Sequence, residues 1–285
     1  MTEPRLPVLC QRLGRCIEVY NPALVRGRVR HALFDFDGTL SLLRAGWQEV
    51  MVAQFAGELA RIPTGESHRE LVGVCREFIT RLTGEQTIYQ MLQLEEEIRR
   101  RGGQPQPALE YKREYLRLLD ARIGHRIEAV RKGRAPAGDF LVRGSLALLD
   151  GLRQRGATCY LASGTDRQFV EEEVGLLGLA PFFGAQVYGA VEEYKTFSKK
   201  LVIERIIAEH QLQGPELAVF GDGYVEIENA RSAGSIAVAA ATRESGEEGW
   251  DPWKKDRLLG VGADLMVPDW READLLLAYL FGEGE

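Results

Sequence analysis

The sequence predicts an α/β protein with an open, mostly parallel sheet and an inserted α-helical domain. From residue 141 onward, short apolar runs alternate with amphipathic segments, which is the pattern of parallel β/α units. Residues 41–140 instead carry long patterns of period 3.6 and almost no β-branched runs, which indicates helices. We therefore predict one α/β core domain from residues 1–40 and 141–285, interrupted by a helical domain at residues 41–140.

Apolar runs predict the strands of the core, and helical periodicity and capping residues predict its helices. Gly156 and Gly178 can end helices in the left-handed conformation, and Ser198 can cap the start of another helix. We predict core helices at residues 145–155, 166–177, 198–210 and 225–233. The predicted strands are residues 32–35, 158–162, 185–188, 217–220, 236–239 and 265–267, with an edge strand at 16–20.

The inserted segment divides at glycine and proline residues, which interrupt helices. We predict four helices there, at residues 47–61, 66–82, 85–101 and 108–131. The stretch from Gly133 to Gly138 is typical of a hinge that leads back to the core. Residues 242–256 are polar and are predicted to form a loop.

The composition is that of an ordinary folded protein, with 45% hydrophobic and 27% charged residues. A net charge of -6 argues against nucleic-acid and anionic-membrane partners, which usually require a basic surface. The four cysteines show no metal-ligand spacing, and no apolar stretch approaches the ~20 residues that span a bilayer. We expect a cytoplasmic protein with reduced thiols; its oligomeric state stays open.

Acidic and hydroxyl side chains follow three of the predicted strands. Asp35 and Asp37 stand at the end of the first, before Gly38 and Thr39. Ser163 follows the strand at 158–162, and Asp222 and Glu226 follow the strand at 217–220. Because ligands bind beyond the carboxyl ends of parallel strands, these side chains predict a single site.

The segment Asp35-Phe-Asp-Gly-Thr39 resembles the first motif of the haloacid dehalogenase (HAD) superfamily, and Ser163 and Gly221-Asp222 resemble its second and fourth motifs. The Asp-x-Asp-Gly-Thr form is the one that phosphatases of that superfamily carry, and the helical insertion between the first and second motifs corresponds to its type 1 cap, similar to β-phosphoglucomutase and phosphoglycolate phosphatase. The resemblance implies a Rossmann-like core in which Asp35 is the nucleophile and Asp37 the general acid and base. It also implies Mg²⁺, held by Asp35, the Asp37 carbonyl and Asp222, with Glu226 on the metal or on a metal-bound water.

The remaining candidates bind the substrate. Ser163, Gly164, Thr165 and Thr39 are expected near the phosphate, and a lysine should balance its charge. Lys195, Lys199 and Lys200 all precede or begin one helix, and we favour Lys199 as catalytic over Lys195, which is kept as the alternative. Arg44 and Trp47 could contact the substrate, or could form a salt bridge and a packed aromatic.

The predicted function is hydrolysis of a small phosphorylated metabolite, either a sugar phosphate or a small phosphorylated acid. Asp37 argues against dehalogenation, since dehalogenases of this superfamily lack that second acid. A phosphomutase similar to β-phosphoglucomutase is the nearest alternative, and a metabolite-binding or regulatory protein without catalysis is the alternative of another class. Glu171, Glu172 and Glu173 are expected on a solvated helix face.

Overall fold

The computed structural model describes residues 7–283 and contains one eight-stranded sheet. The spatial order of the strands is β1-β2-β8-β7-β6-β3-β4-β5, in which β8 to β5 are parallel and β1 and β2 antiparallel. The α/β fold with a mostly parallel sheet is therefore confirmed. The strands are β1 (Gln11–Leu13), β2 (Ile17–Val19), β3 (His31–Phe34), β4 (Thr158–Asp166), β5 (Val187–Ala190), β6 (Leu217–Gly221), β7 (Ile236–Ala240) and β8 (Leu265–Val267).

Helices surround this sheet and form a separate group between β3 and β4. That group consists of α1 (Trp47–Leu59), α2 (His68–Arg81), α3 (Thr87–Arg100) and α4 (Ala108–Arg131). The others are α5 (Ser145–Gln154), α6 (Arg167–Leu176), α7 (Ala180–Phe183), α8 (Lys199–His210), α9 (Tyr224–Ser232), α10 (Pro252–Gly260) and α11 (Ala273–Leu280). None of the described helices is long and apolar enough to cross a membrane.

Strand β3 lies inside the sheet, between β4 and β6. His31 pairs with Thr158 on one side and Leu217 on the other, and Phe34 pairs with Leu161 and Phe220. All four β3 side chains are buried, because helices cover both faces of the sheet. The equal register brings the carboxyl ends of β3, β4 and β6 to one edge.

The four helices α1 to α4, here called the cap helices, have a hydrophobic cluster of their own. Ser67 begins α2 with a capping box to Glu70, and Phe55 stacks on Phe78 in the centre of the cluster. The two linkers to the core are joined by backbone hydrogen bonds, from the Leu42 amide to the Phe140 carbonyl (2.8 Å) and from the Val142 amide to the Leu40 carbonyl (3.0 Å).

Three local predictions need correction. The strand at 16–20 is not an edge strand, since β2 pairs with β8 on one side and β1 on the other. The polar segment 242–256 includes the start of α10, where Asp251 accepts hydrogen bonds from the amides of Trp253 and Lys254 and Pro252 occupies the first turn. Strand β1 and helices α7 and α11 were not predicted.

Candidate active site

Asp35 follows β3 directly and is held by the sheet. Its amide donates to the Phe220 carbonyl (2.9 Å), and the chain then turns at Gly38, whose φ is 78°. A Cβ atom at Gly38 would lie 2.2 Å from Oδ2 of Asp222, so a side chain there would collide with that carboxylate. Glycine at position 38 therefore allows both the turn and the close approach of Asp222.

Asp35 shares a buried cation with Glu226. Lys199 Nζ lies 2.7 Å from Asp35 Oδ1 and 3.0 Å from Glu226 Oε2, and the lysine is only 4% exposed. Burial raises the pKa of Asp35 well above its ordinary value, although Lys199 opposes that shift. Burial lowers the pKa of Lys199, but Asp35 and Glu226 outweigh it and raise the pKa above its ordinary value. The lysine is thus a permanent cation beside Asp35.

Within residues 7–283, only one of the two carboxylate oxygens of Asp37 has a hydrogen-bond partner. Oδ2 accepts hydrogen bonds from the hydroxyl groups of Thr165 (2.9 Å) and Ser163 (3.4 Å). Oδ1 is buried and has no hydrogen-bond partner among residues 7–283; Nε of Arg44 lies 3.9 Å from it. Burial raises the pKa of Asp37, while Arg44 and Thr165 lower it. The free oxygen is therefore available for a proton transfer.

Asp222 is fixed through both of its oxygens. Oδ1 accepts a hydrogen bond from the Thr39 hydroxyl (3.1 Å), and Oδ2 accepts one from Lys254 Nζ (2.6 Å). Lys254 also donates to Glu244 Oε1 (2.9 Å). Although burial lowers the pKa of Lys254, Asp222 and Glu244 raise it above its ordinary value. Lys254 is therefore a second buried cation at this site, behind Asp222.

Arg44 forms a buried ion pair with Glu173 on α6. Its Nη2 lies 2.7 Å from Glu173 Oε1, and its Nε donates to both carboxylate oxygens (3.0 and 3.2 Å). Burial raises the pKa of Glu173 to about 7, and the facing arginine partly offsets that shift. The pair connects the segment after Asp37 to the core, so Glu173 does not lie on a solvated face as expected.

The loop between α2 and α3 brings the cap helices onto the core. A Cβ atom at Gly164 would lie 2.3 Å from the carbonyl oxygen of Glu85, and one at Gly84 would lie 2.9 Å from Glu226 Oε2. The side-chain amide of Gln86 donates to the carbonyls of Tyr194 and Phe197, both at 2.7 Å. The loop is therefore attached to the segment that precedes Lys199.

These groups enclose one cavity of about 70 Å³. From the core it is lined by Asp35, Asp37, Ser163, Gly164, Thr165, Lys199, Asp222 and Glu244. From the other side it is lined by Arg44, Trp47, Thr83, Gly84, Glu85, Thr87, Gln90 and Tyr115. Most of the residues proposed from the sequence thus share one space with side chains of the cap helices.

The donor set suits a hard divalent cation. Asp35, Asp222 and Glu226 each offer one carboxylate oxygen, and these oxygens lie within 4.8 Å of one another. Oxygen ligands of this kind are preferred by Mg²⁺. Five carboxylates line the cavity, against the two lining cations Arg44 and Lys199 and the cation Lys254 behind Asp222, so a divalent cation would balance the remaining charge.

Three of the proposed residues do not line the cavity. Glu226 contacts Lys199 at its edge. Lys195 is exposed, sits 5.9 Å from the ring of Tyr194 and does not line the cavity. Thr39 is fully buried beneath the site, where it contacts Asp222 and cannot contact a substrate. We did not predict Lys254, Glu244, Glu173 or Glu85. Only Glu173 carried a usable signal, because it shares the apolar helical face of Val170, Val174 and Leu177.

The fold has many relatives of known structure. A phosphoglycolate phosphatase predicted from Haemophilus somnus 129pt aligns with a TM-score of 0.56, at 13% identity over 87% of this chain and 98% of that chain. A predicted phosphatase from Clostridium acetobutylicum gives the same TM-score and coverage at 17% identity. A proposed beta-phosphoglucomutase from Bacteroides vulgatus aligns with a TM-score of 0.53, at 15% identity over 90% and 91% of the two chains.

At these identities the solved structures show a shared fold alone, and a search of curated proteins gave no match. The sequence itself carries the family assignment. The sequence profile of the haloacid dehalogenase-like hydrolases matches residues 29–234, which include Asp35, Asp37, Ser163, Lys199 and Asp222. The chain therefore belongs to the haloacid dehalogenase-like hydrolase family.

Proposed function

We propose that the protein is a Mg²⁺-dependent phosphatase that hydrolyses a small phosphorylated metabolite. One observation carries the proposal. Asp35, which pairs with Lys199, and Asp37, whose Oδ1 has no hydrogen-bond partner within residues 7–283, line the same cavity. A nucleophilic carboxylate and a second carboxylate able to exchange a proton are the two groups that a covalent route to phosphate hydrolysis requires.

In the first step, a carboxylate oxygen of Asp35 attacks phosphorus as the bond from phosphorus to the ester oxygen breaks. The product is an aspartyl-phosphate, and the protonated carboxyl group of Asp37 gives its proton to the departing alkoxide. Lys199 stays beside Asp35 and stabilises the negative charge that gathers on the phosphoryl oxygens. Ser163 and Thr165 hold Asp37 in position through its other oxygen.

In the second step, Asp37, now ionised, takes a proton from a water molecule, and the resulting hydroxide attacks phosphorus. The bond between phosphorus and Asp35 breaks, which releases inorganic phosphate and restores both carboxyl groups. Asp35, Asp222 and the Asp37 carbonyl would hold the Mg²⁺, as the family resemblance implies, and Glu226 offers a further carboxylate oxygen in the same cluster. When bound, the metal would neutralise charge on the phosphoryl oxygens.

We further propose that residues 41–140 act as a cap that closes over the site. The small cavity and the contact between Glu85 and Gly164 support a closed arrangement that excludes a macromolecular substrate. Closure would also keep bulk water away from the aspartyl-phosphate. The free cysteines support a reducing, cytoplasmic setting.

The test is hydrolysis of p-nitrophenyl phosphate by the full chain with Mg²⁺ and with EDTA. We expect turnover that needs the metal, is abolished in Asp35→Asn and is strongly reduced in Asp37→Asn. Asp274→Asn, an exposed change on α11, is the matched control and should retain wild-type turnover. A folded wild type without turnover at saturating metal would favour a binding or regulatory role, and activity retained by Asp35→Asn would contradict the covalent route.

A second assay separates hydrolysis from intramolecular transfer. Incubation with β-glucose 1-phosphate should release inorganic phosphate if this compound is accepted. Formation of glucose 6-phosphate without phosphate release would contradict the phosphatase proposal and indicate a phosphomutase.

A further inference from the structure

We propose that the leaving group of the substrate is a neutral polyol, so the substrate is a small sugar or polyol phosphate and not a phosphorylated carboxylic acid. This inference rests on the proposed function and specifies its substrate. It follows from the charge of the cavity wall, from the pairing of Arg44 and from one unpartnered acceptor on a cap helix.

The wall of the cavity already carries an excess of negative charge. Five carboxylates line it, and the two cationic side chains are Arg44 and Lys199. Lys254, which donates to Asp222 and Glu244, is a third cation beside the wall. A divalent metal would bring the positive charges to five, equal to the five carboxylates and still without a surplus to attract another anion. A carboxylate on the leaving group would therefore be repelled at short range in a poorly solvated space. The five lining carboxylates are Asp35, Asp37, Glu85, Asp222 and Glu244.

Neither cation is free to bind a carboxylate of the substrate. Lys199 is held between Asp35 and Glu226, beside the position of the phosphoryl group. Arg44 makes three hydrogen bonds to Glu173, and Asp37 lies at 3.9 Å, so its charge is balanced before a ligand arrives. A site made for a phosphorylated acid would be expected to keep one cation uncommitted.

The cap side of the cavity instead offers a hydrogen-bond acceptor. Gln90 on α3 lines the cavity and is only 3% exposed. Its Nε2 donates to the Leu82 carbonyl (3.0 Å), while its Oε1 has no partner within residues 7–283. A buried acceptor without a donor is costly, and a hydroxyl group of the substrate would satisfy it. A carboxylate has no hydrogen to donate.

Other lining groups on the cap side can also form hydrogen bonds. Thr87 and Tyr115 each carry a hydroxyl group that can donate or accept, whereas the Thr83 hydroxyl donates to the Ile79 carbonyl (3.1 Å) and can still accept. Glu85 adds a further acceptor. The cap side thus matches a molecule with several hydroxyl groups, which donate to Gln90 and Glu85 and accept from the hydroxyl side chains.

The first experiment compares two substrates of one carbon skeleton, glycerol 3-phosphate and 3-phosphoglycerate, by phosphate release with Mg²⁺. We expect kcat/KM to be at least about tenfold higher for glycerol 3-phosphate, in which an alcohol replaces the carboxylate. Equal values, or a preference for 3-phosphoglycerate, would overturn the inference. A preference for phosphoethanolamine over glycerol 3-phosphate would also overturn it, since that leaving group is a cation.

The second experiment tests the acceptor itself. Gln90→Leu should raise KM for glycerol 3-phosphate by about tenfold and raise KM for p-nitrophenyl phosphate less, because the latter has no hydroxyl group to donate. Gln54→Leu is the matched control: this cap glutamine also has a buried, unpartnered Oε1 and donates to a backbone carbonyl, but it does not line the cavity. Equal effects of Gln90→Leu on both substrates would contradict a substrate contact.

The two proposals can fail separately. If p-nitrophenyl phosphate is not hydrolysed at all, the proposed phosphatase activity fails. If it is hydrolysed and the acid is nevertheless preferred over the alcohol, only the inference about the leaving group fails.

Discussion

Lys199 Nζ lies 2.7 Å from Oδ1 of Asp35, and the lysine side chain is buried between that carboxylate and Glu226. We expect Lys199→Met to lower kcat for p-nitrophenyl phosphate by about 10²–10³-fold, since it removes a fixed charge at the reacting group. The exposed Lys195 is the control, and Lys195→Met should change kcat less than twofold. An equal loss in both variants would contradict the assignment; circular dichroism checks that each variant is folded.

The buried pair of Arg44 and Glu173 predicts a large and non-additive effect on stability. Glu173→Ala leaves a buried guanidinium without its partner, so we expect the free energy of unfolding to fall by about 3–5 kcal/mol. The double variant Arg44→Met with Glu173→Leu should recover much of that loss. The measurement is urea denaturation. Glu172→Ala on the same helix is exposed and should cost less than about 1 kcal/mol.

Substitution of Trp270, which lies beneath the site, is expected to lower the free energy of unfolding by a smaller amount. Its indole Nε1 donates to the Thr39 carbonyl (2.7 Å) in a fully buried position. Trp270→Phe keeps most of the packing but leaves that carbonyl unpaired, so we expect a loss of about 1–3 kcal/mol in the free energy of unfolding. Trp253→Phe, at a residue that is 44% exposed, should change it by less than about 0.5 kcal/mol. Denaturation followed by circular dichroism avoids the altered fluorescence of both variants.

The hydrogen bonds of Gln86 attach the cap helices to the core, and their loss should loosen that attachment. Gln86→Ala removes both hydrogen bonds to the segment before Lys199, so we expect faster amide hydrogen exchange around residues 83–90 and 194–199. The matched change Gln93→Ala, on the same helix but away from these carbonyls, should leave that exchange unchanged. Unaltered exchange in Gln86→Ala would show that the apolar contacts alone hold the loop.

His31 predicts a dependence of stability on pH at the opposite edge of the sheet. Burial lowers its pKa, with a contribution from the neighbouring His210, and its Nδ1 lies 3.1 Å from the Tyr160 hydroxyl. In the unfolded chain His31 binds a proton near pH 6.5, whereas in the folded protein it binds one only at lower pH. The contribution of neutral His31 to stability is therefore present above pH 6.5 and is lost as the pH falls below that value.

We expect the free energy of unfolding to decrease between pH 7 and pH 5 more steeply in the wild type than in His31→Gln. Urea denaturation at several pH values measures this slope. His125→Gln, at an exposed position on α4, is the control and should behave as the wild type does. A slope in His31→Gln equal to that of the wild type would contradict the prediction.

The residues proposed as catalytic could be predicted because Asp35 and Asp222 directly follow apolar strands and Ser163 lies in the last part of another, β4. Asp35, Ser163 and Asp222 are local in sequence to β3, β4 and β6, and parallel pairing brings strand ends together. Lys199 could be chosen over Lys195 because Ser198 caps α8 and fixes where the helix begins. The residues adjacent in sequence were therefore sufficient to predict these site positions.

Residues that reach the site from distant segments could not be predicted in the same way. Lys254 contacts Asp222 across 32 positions, and no pattern in the polar segment 242–256 indicates that contact. A capping residue followed by proline, as in Asp251 and Pro252, is a typical start of a helix. The polarity of the segment nevertheless favoured a loop in the prediction. The closure of the Glu85 loop onto Gly164 depends on tertiary packing that periodicity does not contain.

The two linkers that join the cap helices to the core have a consequence for how the protein could diversify. They are joined by main-chain hydrogen bonds between Leu42 and Phe140 and between Leu40 and Val142, which do not depend on side-chain identity. The inserted helices could therefore be exchanged without changing the hydrogen bonds that join the two linkers. A foreign helical insert grafted between positions 41 and 141 would keep Asp35 and Asp37 in place while presenting different side chains to the cavity.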